Sequence, residues 1–171
     1  MGESVLLIGK DSTFMGALSE HIGARNLTVH FAQNGPEALG ILRHDDIDVV
    51  VININDLGAD GIRIVDSIQQ TRTRAEFITL TSPTTIHWSI EGMKRGAFAD
   101  LLIPFDMEDL FARLQEAGAR RKAKKNKRRR KTSLRKRLED LMVSATFAES
   151  RNFDTARQIM EESRTEESDL E

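Results

Sequence analysis

The run Val49-Val50-Val51-Ile52 constrains the fold more than any other stretch of the chain. β-branched side chains favour extended backbone, and the absence of polar alternation means that both faces of the strand are covered, the condition of a central strand in a parallel sheet. Parallel neighbours need crossover connections, usually helices, and the first 118 residues supply them by alternating short apolar runs with stretches of helical period. Strands are expected at Ser4 to Ile8, Leu27 to Phe31, Asp48 to Ile54, Glu76 to Leu80 and Phe98 to Ile103. Helices are expected at 12–24, 35–44, 61–72, 84–95 and 107–118, mostly opened by Asp, Asn, Ser or Pro. The fold class is therefore α/β, a five-stranded parallel sheet wound on both faces. Residues just after Ile52 lie at the carboxyl edge of the sheet, where such folds place their sites.

The charge is segregated along the chain. Residues 1–119 carry a net −8, residues 120–131 hold ten basic side chains and no acid, and residues 132–171 return to −4. The basic stretch has no apolar residue larger than alanine and cannot bury a face. It is expected either to extend the preceding helix or to act as a solvated linker. Beyond it, Leu134, Leu138, Leu141, Ala145 and Ala148 recur at alternating steps of four and three, a short heptad-like stripe. A second helical stretch is expected after Asn152, with Phe153, Ala156, Ile159 and Met160 on one side. The domains expected are thus 1–118, a globular unit; 119–133, a basic linker or helix extension; 134–165, a helical hairpin or short coiled coil; and 166–171, an acidic tail. There are no cysteines, which excludes disulfides and thiolate chemistry. With no long apolar run either, a cytoplasmic location is expected.

Several stretches together resemble one family. Asp48 through Asp60-Gly61 looks like the third strand and following loop of bacterial response-regulator receivers, of the chemotaxis-regulator-like type. Gly96-Ala97 through Pro104-Phe105 resembles their fifth strand and Pro-Phe turn, and Thr81 falls at their switch Thr or Ser. The resemblance covers roughly residues 3 to 118 and implies the flavodoxin-like receiver fold followed by a C-terminal helical tail. The family transfers a phosphoryl group to an aspartate with a magnesium ion, two further acids, the switch hydroxyl and a lysine. Metal and lysine neutralise charge while the aspartate attacks in line.

The matching positions here are changed. Asn53 stands at the acceptor, Gly9 and Lys10 replace the acidic pair with Asp11 beside them, Ile103 replaces the lysine, and Asp100 stands at the aromatic switch position. An amide is neither a carboxylate nucleophile nor a charged metal ligand. The expectation is a degenerate pseudo-receiver without phospho-acceptor, metal, cofactor or enzyme activity, in which the Lys10 ammonium either bonds Asn53 or Asp11 or points to solvent.

What the resemblance leaves is a partner face on the fourth helix, fifth strand and fifth helix: Trp88, Glu91, Lys94, Arg95, Asp100, Asp106 and Asp109. The expected function is phosphorylation-independent signalling of the two-component or phosphorelay type, through protein-protein interaction, with a homodimer through the C-terminal helices as one arrangement. The alternative is a nucleic-acid-associated regulator binding non-specifically through Arg120, Arg121, Lys122, Lys124, Lys125, Lys127, Arg128, Arg129, Arg130 and Lys131, which could neutralise several phosphates. That cluster could equally meet an anionic membrane surface, fold back on the acidic first domain, or bind nothing. His21, His30, His44 and His87 lack metal-ligand spacing, and Gly9-Lys10-Asp11-Ser12 lacks the Gly-rich lead of a phosphate loop.

Overall fold

The computed structural model describes residues 3–71 and 73–168, with the side chains of 129, 140, 141 and 143 onward excepted. Five strands, β1 (Ser4–Ile8), β2 (Thr28–Ala32), β3 (Val49–Asn53), β4 (Glu76–Thr81) and β5 (Ala99–Leu102), form one sheet in the order β2-β1-β3-β4-β5. Every pairing is parallel, and β3 is central, with Val51 between Leu7 and Ile78. The helices are α1 (Ser12–Gly23), α2 (Gly35–His44), α3 (Ile54–Leu57), α4 (Ala59–Gln70), α5 (Ile86–Lys94) and α6 (Met107–Ser168).

All five residues of β3 are buried, as the unbroken apolar run requires. Its alternating side chains feed two cores. Val50 and Ile52 pack with Ala38, Ile62, Val65 and Ile68 from α2 and α4. Val49 and Val51 pack with Met15, Leu18 and Ile22 from α1 and Leu110, Leu114 and Ala117 from α6. Covering both faces of the sheet is what makes a non-alternating strand stable in water.

The segment after β3 differs from the expected single helix at 61–72. A short turn of helix, α3, comes first, and Gly58 at φ 55° separates it from α4. That backbone region admits glycine with little strain. The helix starts follow capping chemistry. Asp11 caps α1, its carboxylate accepting from the amides of Thr13 and Phe14 at 3.0 Å each, and Asn34 caps α2 through Glu37 N at 3.0 Å.

The expected helical hairpin at 134–165 is corrected. Residues 107–168 form a single helix with no break at Asn152. The last glycine is Gly118 and the last proline Pro104, so the two strongest helix breakers are missing from the segment. Residues 166–168 belong to this helix, and the rest of the expected acidic tail, 169–171, lies outside the described residues. The chain divides into two units, Met1–Lys124 and Lys125–Glu171, so the first extends past the expected boundary at 118. Among the described residues, no helix is long and apolar enough to cross a membrane.

Candidate functional site at the carboxyl edge of the sheet

β1, β3 and β4 end side by side, which brings Gly9, Asn53 and Thr81 to one edge. Asn53 is 3% exposed. Its Nδ2 lies 4.0 Å from the Met15 sulfur, and its buried Oδ1 has no hydrogen-bond partner. Met15, fully buried on α1, fills the space beside it. A Cβ on Gly9 would come within 3.0 Å of Met15 Cγ and 3.2 Å of Asn53 Cβ. Glycine at position 9 therefore allows the thioether to pack where the family resemblance puts a carboxylate.

Asp56 is the residue that sequence reasoning missed. From α3, just after β3, its Oδ2 accepts hydrogen bonds from the backbone amides of Lys10 at 3.0 Å and Asp11 at 2.9 Å. Its Oδ1 is buried and unpaired. One carboxylate thus ties the β1–α1 loop to the β3–α4 region, while Asp11 spends its own oxygen on the α1 cap. The only signal in the sequence was an acid three residues past the acceptor position.

Lys10 is exposed, and its ammonium lies 3.7 Å from Asp60, not on Asn53 or Asp11. With both partners more than half exposed, this pair contributes little. Thr81 is fully buried and donates its hydroxyl to Asp100 at 2.8 Å, and Thr79 donates to the other oxygen of the same carboxylate at 2.5 Å. One carboxylate on β5 thus binds both β4 hydroxyls. Ile103 precedes Pro104 through a cis bond and packs against the α1/α6 core.

The candidate partner face is brought together only in part. Trp88 is half-buried, packed on the core beneath α5 and 4.6 Å from the His87 ring. Glu91 is engaged by Arg95 and by Lys94 at 3.1 Å, and Arg95 also reaches Asp66 at 2.7 Å. The hydrogen bond from Arg95, then the one from Lys94, holds the Glu91 carboxyl below its ordinary value, and Glu91 and Asp66 raise Arg95. Asp100 is committed to the two threonines, whereas Asp106 and Asp109 are exposed. The same elements also expose Ile86, Ile90, Met93 and Leu102, which the sequence reading did not select.

The basic candidates divide. Arg121, 7% exposed as a side chain, pairs with Asp46 and Asp48; Lys124 and Arg120 reach the buried Glu76; Lys122 bonds Glu3 at 2.8 Å. These acids stand at the amino edge of the sheet, so the start of the basic run folds onto the acidic domain. Lys125, Lys127, Arg128, Arg130 and Lys131 are exposed on α6, and the side chain of Arg129 lies outside the described ones.

The family model of the response regulator receiver domain matches residues 5–115. The chain is similar to Regulatory protein AtoC of Escherichia coli, 26% identical over 113 residues, 66% of this chain and 24% of that protein. It is likewise 26% identical over 111 residues to Response regulator MprA of Mycolicibacterium vanbaalenii, 65% of this chain and 48% of that one. The chain thus spans about a quarter to a half of the length of these relatives. Among solved structures, a response regulator receiver domain protein from Clostridium thermocellum is similar at TM-score 0.65 and 26% identity, covering 71% of this chain and 98% of that one. With strand order, edge geometry and family match in agreement, the chain belongs to the response regulator receiver domain family of two-component signalling.

Proposed function

We propose that this receiver signals without phosphorylation, held in one conformation by its own side chains and acting through protein contacts. The observation that carries this reading is the buried Asn53, packed on Met15 at the position of the acceptor aspartate. A carboxamide cannot accept a phosphoryl group as an aspartate does. Magnesium, which the family uses, finds a depleted donor set here: Gly9 and Lys10 offer no carboxylate, and Asp11 and Asp56 each commit one of two oxygens to backbone amides. Asp56 supplies from within the chain the link between the β1 and β3 loops that a metal would otherwise make.

In this reading the α5 and β5 surface docks a protein partner, and the exposed Ile86, Ile90, Met93 and Leu102 give it an apolar centre. The test is incubation of the full chain with acetyl phosphate and magnesium, followed by intact-mass spectrometry. The unmodified mass is expected; an acid-stable, base-labile phosphoryl adduct would overturn the reading.

A second reading, non-specific nucleic-acid binding, is supported by the exposed Lys127, Arg128, Arg130 and Lys131. It is weakened by the carboxylate partners of Arg120, Arg121, Lys122 and Lys124. Anisotropy of labelled duplex DNA across a salt series separates the two: binding lost log-linearly with salt favours the second.

A further inference from the structure

We propose that the C-terminal segment, from Lys125 onward, pairs with the same segment of a second copy of this chain, the two helices running antiparallel. The proposal goes beyond the reading above, which places docking on α5 and β5, and it stands or falls independently of Asn53.

The first support is an apolar stripe exposed on a polar helix. Leu134 and Leu138 are 66% and 60% exposed, and the sequence continues the stripe at Leu141, Ala145 and Ala148. A stripe at steps of three and four is the seam of a two-helix coil. The segment has neither glycine nor proline and runs as one helix, so it does not double back to cover its own stripe.

Charge then selects the occupant and its direction. Residues 125–137 carry nine basic side chains and no acid, and residues 138–171 carry a net −7. A parallel pair would lay the nine positive charges against nine more, within a few ångströms and so inside the screening length of about 8 Å at physiological salt. An antiparallel pair avoids this. The stripe from Leu138 to Ala148 is centred on residue 143, and a two-fold axis there sets Leu138 level with Ala148 and Leu141 level with Ala145. These two layers each hold one large and one small side chain, and Leu134, at the start of the stripe, comes level with Asn152. The same register lays 125–137 against 149–161, whose three acids, Glu149, Asp154 and Glu161, outnumber its two bases, Arg151 and Arg157, so the nine positive charges meet a net −1 instead of nine more positive charges.

The test uses the full chain. Light scattering after size exclusion at physiological salt is expected to give twice the 19.3 kDa chain mass. Leu134→Asp with Leu138→Asp should raise the dissociation constant at least about 100-fold, with Trp88 fluorescence reporting that the receiver domain remains folded. Because the chain has no cysteine, Asn126→Cys takes a single spin label. Antiparallel pairing about residue 143 puts the two labels roughly 50 Å apart at 1.5 Å per residue, and parallel pairing puts them within about 20 Å. A monomer at 100-fold dilution above the sizing limit of detection, a dimer that survives the double substitution, or a short label distance would each overturn the proposal; the first two leave the receiver reading untouched, and a phosphoryl adduct leaves this one untouched.

Discussion

Replacing Asp56 tests the link that holds the β1 and β3 loops together without a metal. Asp56→Ala removes two amide-to-carboxylate hydrogen bonds, at 3.0 and 2.9 Å. Bonds to charged groups contribute about 1.5–3 kcal/mol each when buried, but the Lys10 and Asp11 backbone is exposed, so the lower end applies. Removing the buried, unpaired Oδ1 also recovers some desolvation cost. The net expected loss is roughly 1–2 kcal/mol, or a fall in Tm of about 2–8 °C, with Asp56→Asn losing about half as much. Urea unfolding followed by Trp88 fluorescence gives the stability, and amide exchange gives the local effect. The Lys10 and Asp11 amides should exchange about 10-fold faster in the alanine variant, in line with that free energy. Stability within about 0.3 kcal/mol of the parent, with both amides still protected, would refute the argument that Asp56 ties the loops.

Three further outcomes follow from the same geometry. Arg121→Ala leaves Asp48, 13% exposed, without its guanidinium partner and should cost about 3 kcal/mol in urea unfolding; a loss below about 1 kcal/mol would show that the cluster at the amino edge is not a structural clamp. Glu91 is held below the ordinary glutamate value by Arg95 and then Lys94, so its contribution is present above the unfolded-state value and fades as pH falls through the depressed one; a carboxyl carbon titration by NMR should place its midpoint below that of an unpaired glutamate, and a midpoint at or above it would contradict the ion pairs. Asn53→Asp alone should not restore phosphorylation by acetyl phosphate, because Gly9, Lys10 and Ile103 still lack the family's chemistry; an adduct on that variant would mean that the surrounding changes matter little.

The architecture was legible because it depends on periodicity. The Val49-to-Ile52 run located the central strand, and alternation of apolar runs with capped helical stretches gave the parallel sheet, with strand ends off by at most one residue. Gly58 marked the end of α3, but a four-residue helix bears no period long enough to read. At the site, the positions that the resemblance singles out could be read one by one, whereas the contacts they make could not. Asp56 meets Lys10 and Asp11 across 46 and 45 residues, Asp100 meets Thr81 across 19, and Met15 enters the site only because Gly9 lacks a side chain. Such contacts arise from the juxtaposition of strand ends. In the tail, Asn152 was read as preceding a second helical stretch, and the helix runs through it without a break, with no glycine or proline nearby to interrupt it.

The central claim, one conformation held without phosphorylation, is tested most directly by nitrogen-proton correlation NMR of the full chain with magnesium and beryllofluoride, the phosphoryl mimic. The account predicts unchanged amide signals for Lys10, Asn53, Thr81 and Trp88 throughout the titration. Saturable shifts at those residues would mean that the edge of the sheet still binds a phosphoryl group and switches, and would contradict it.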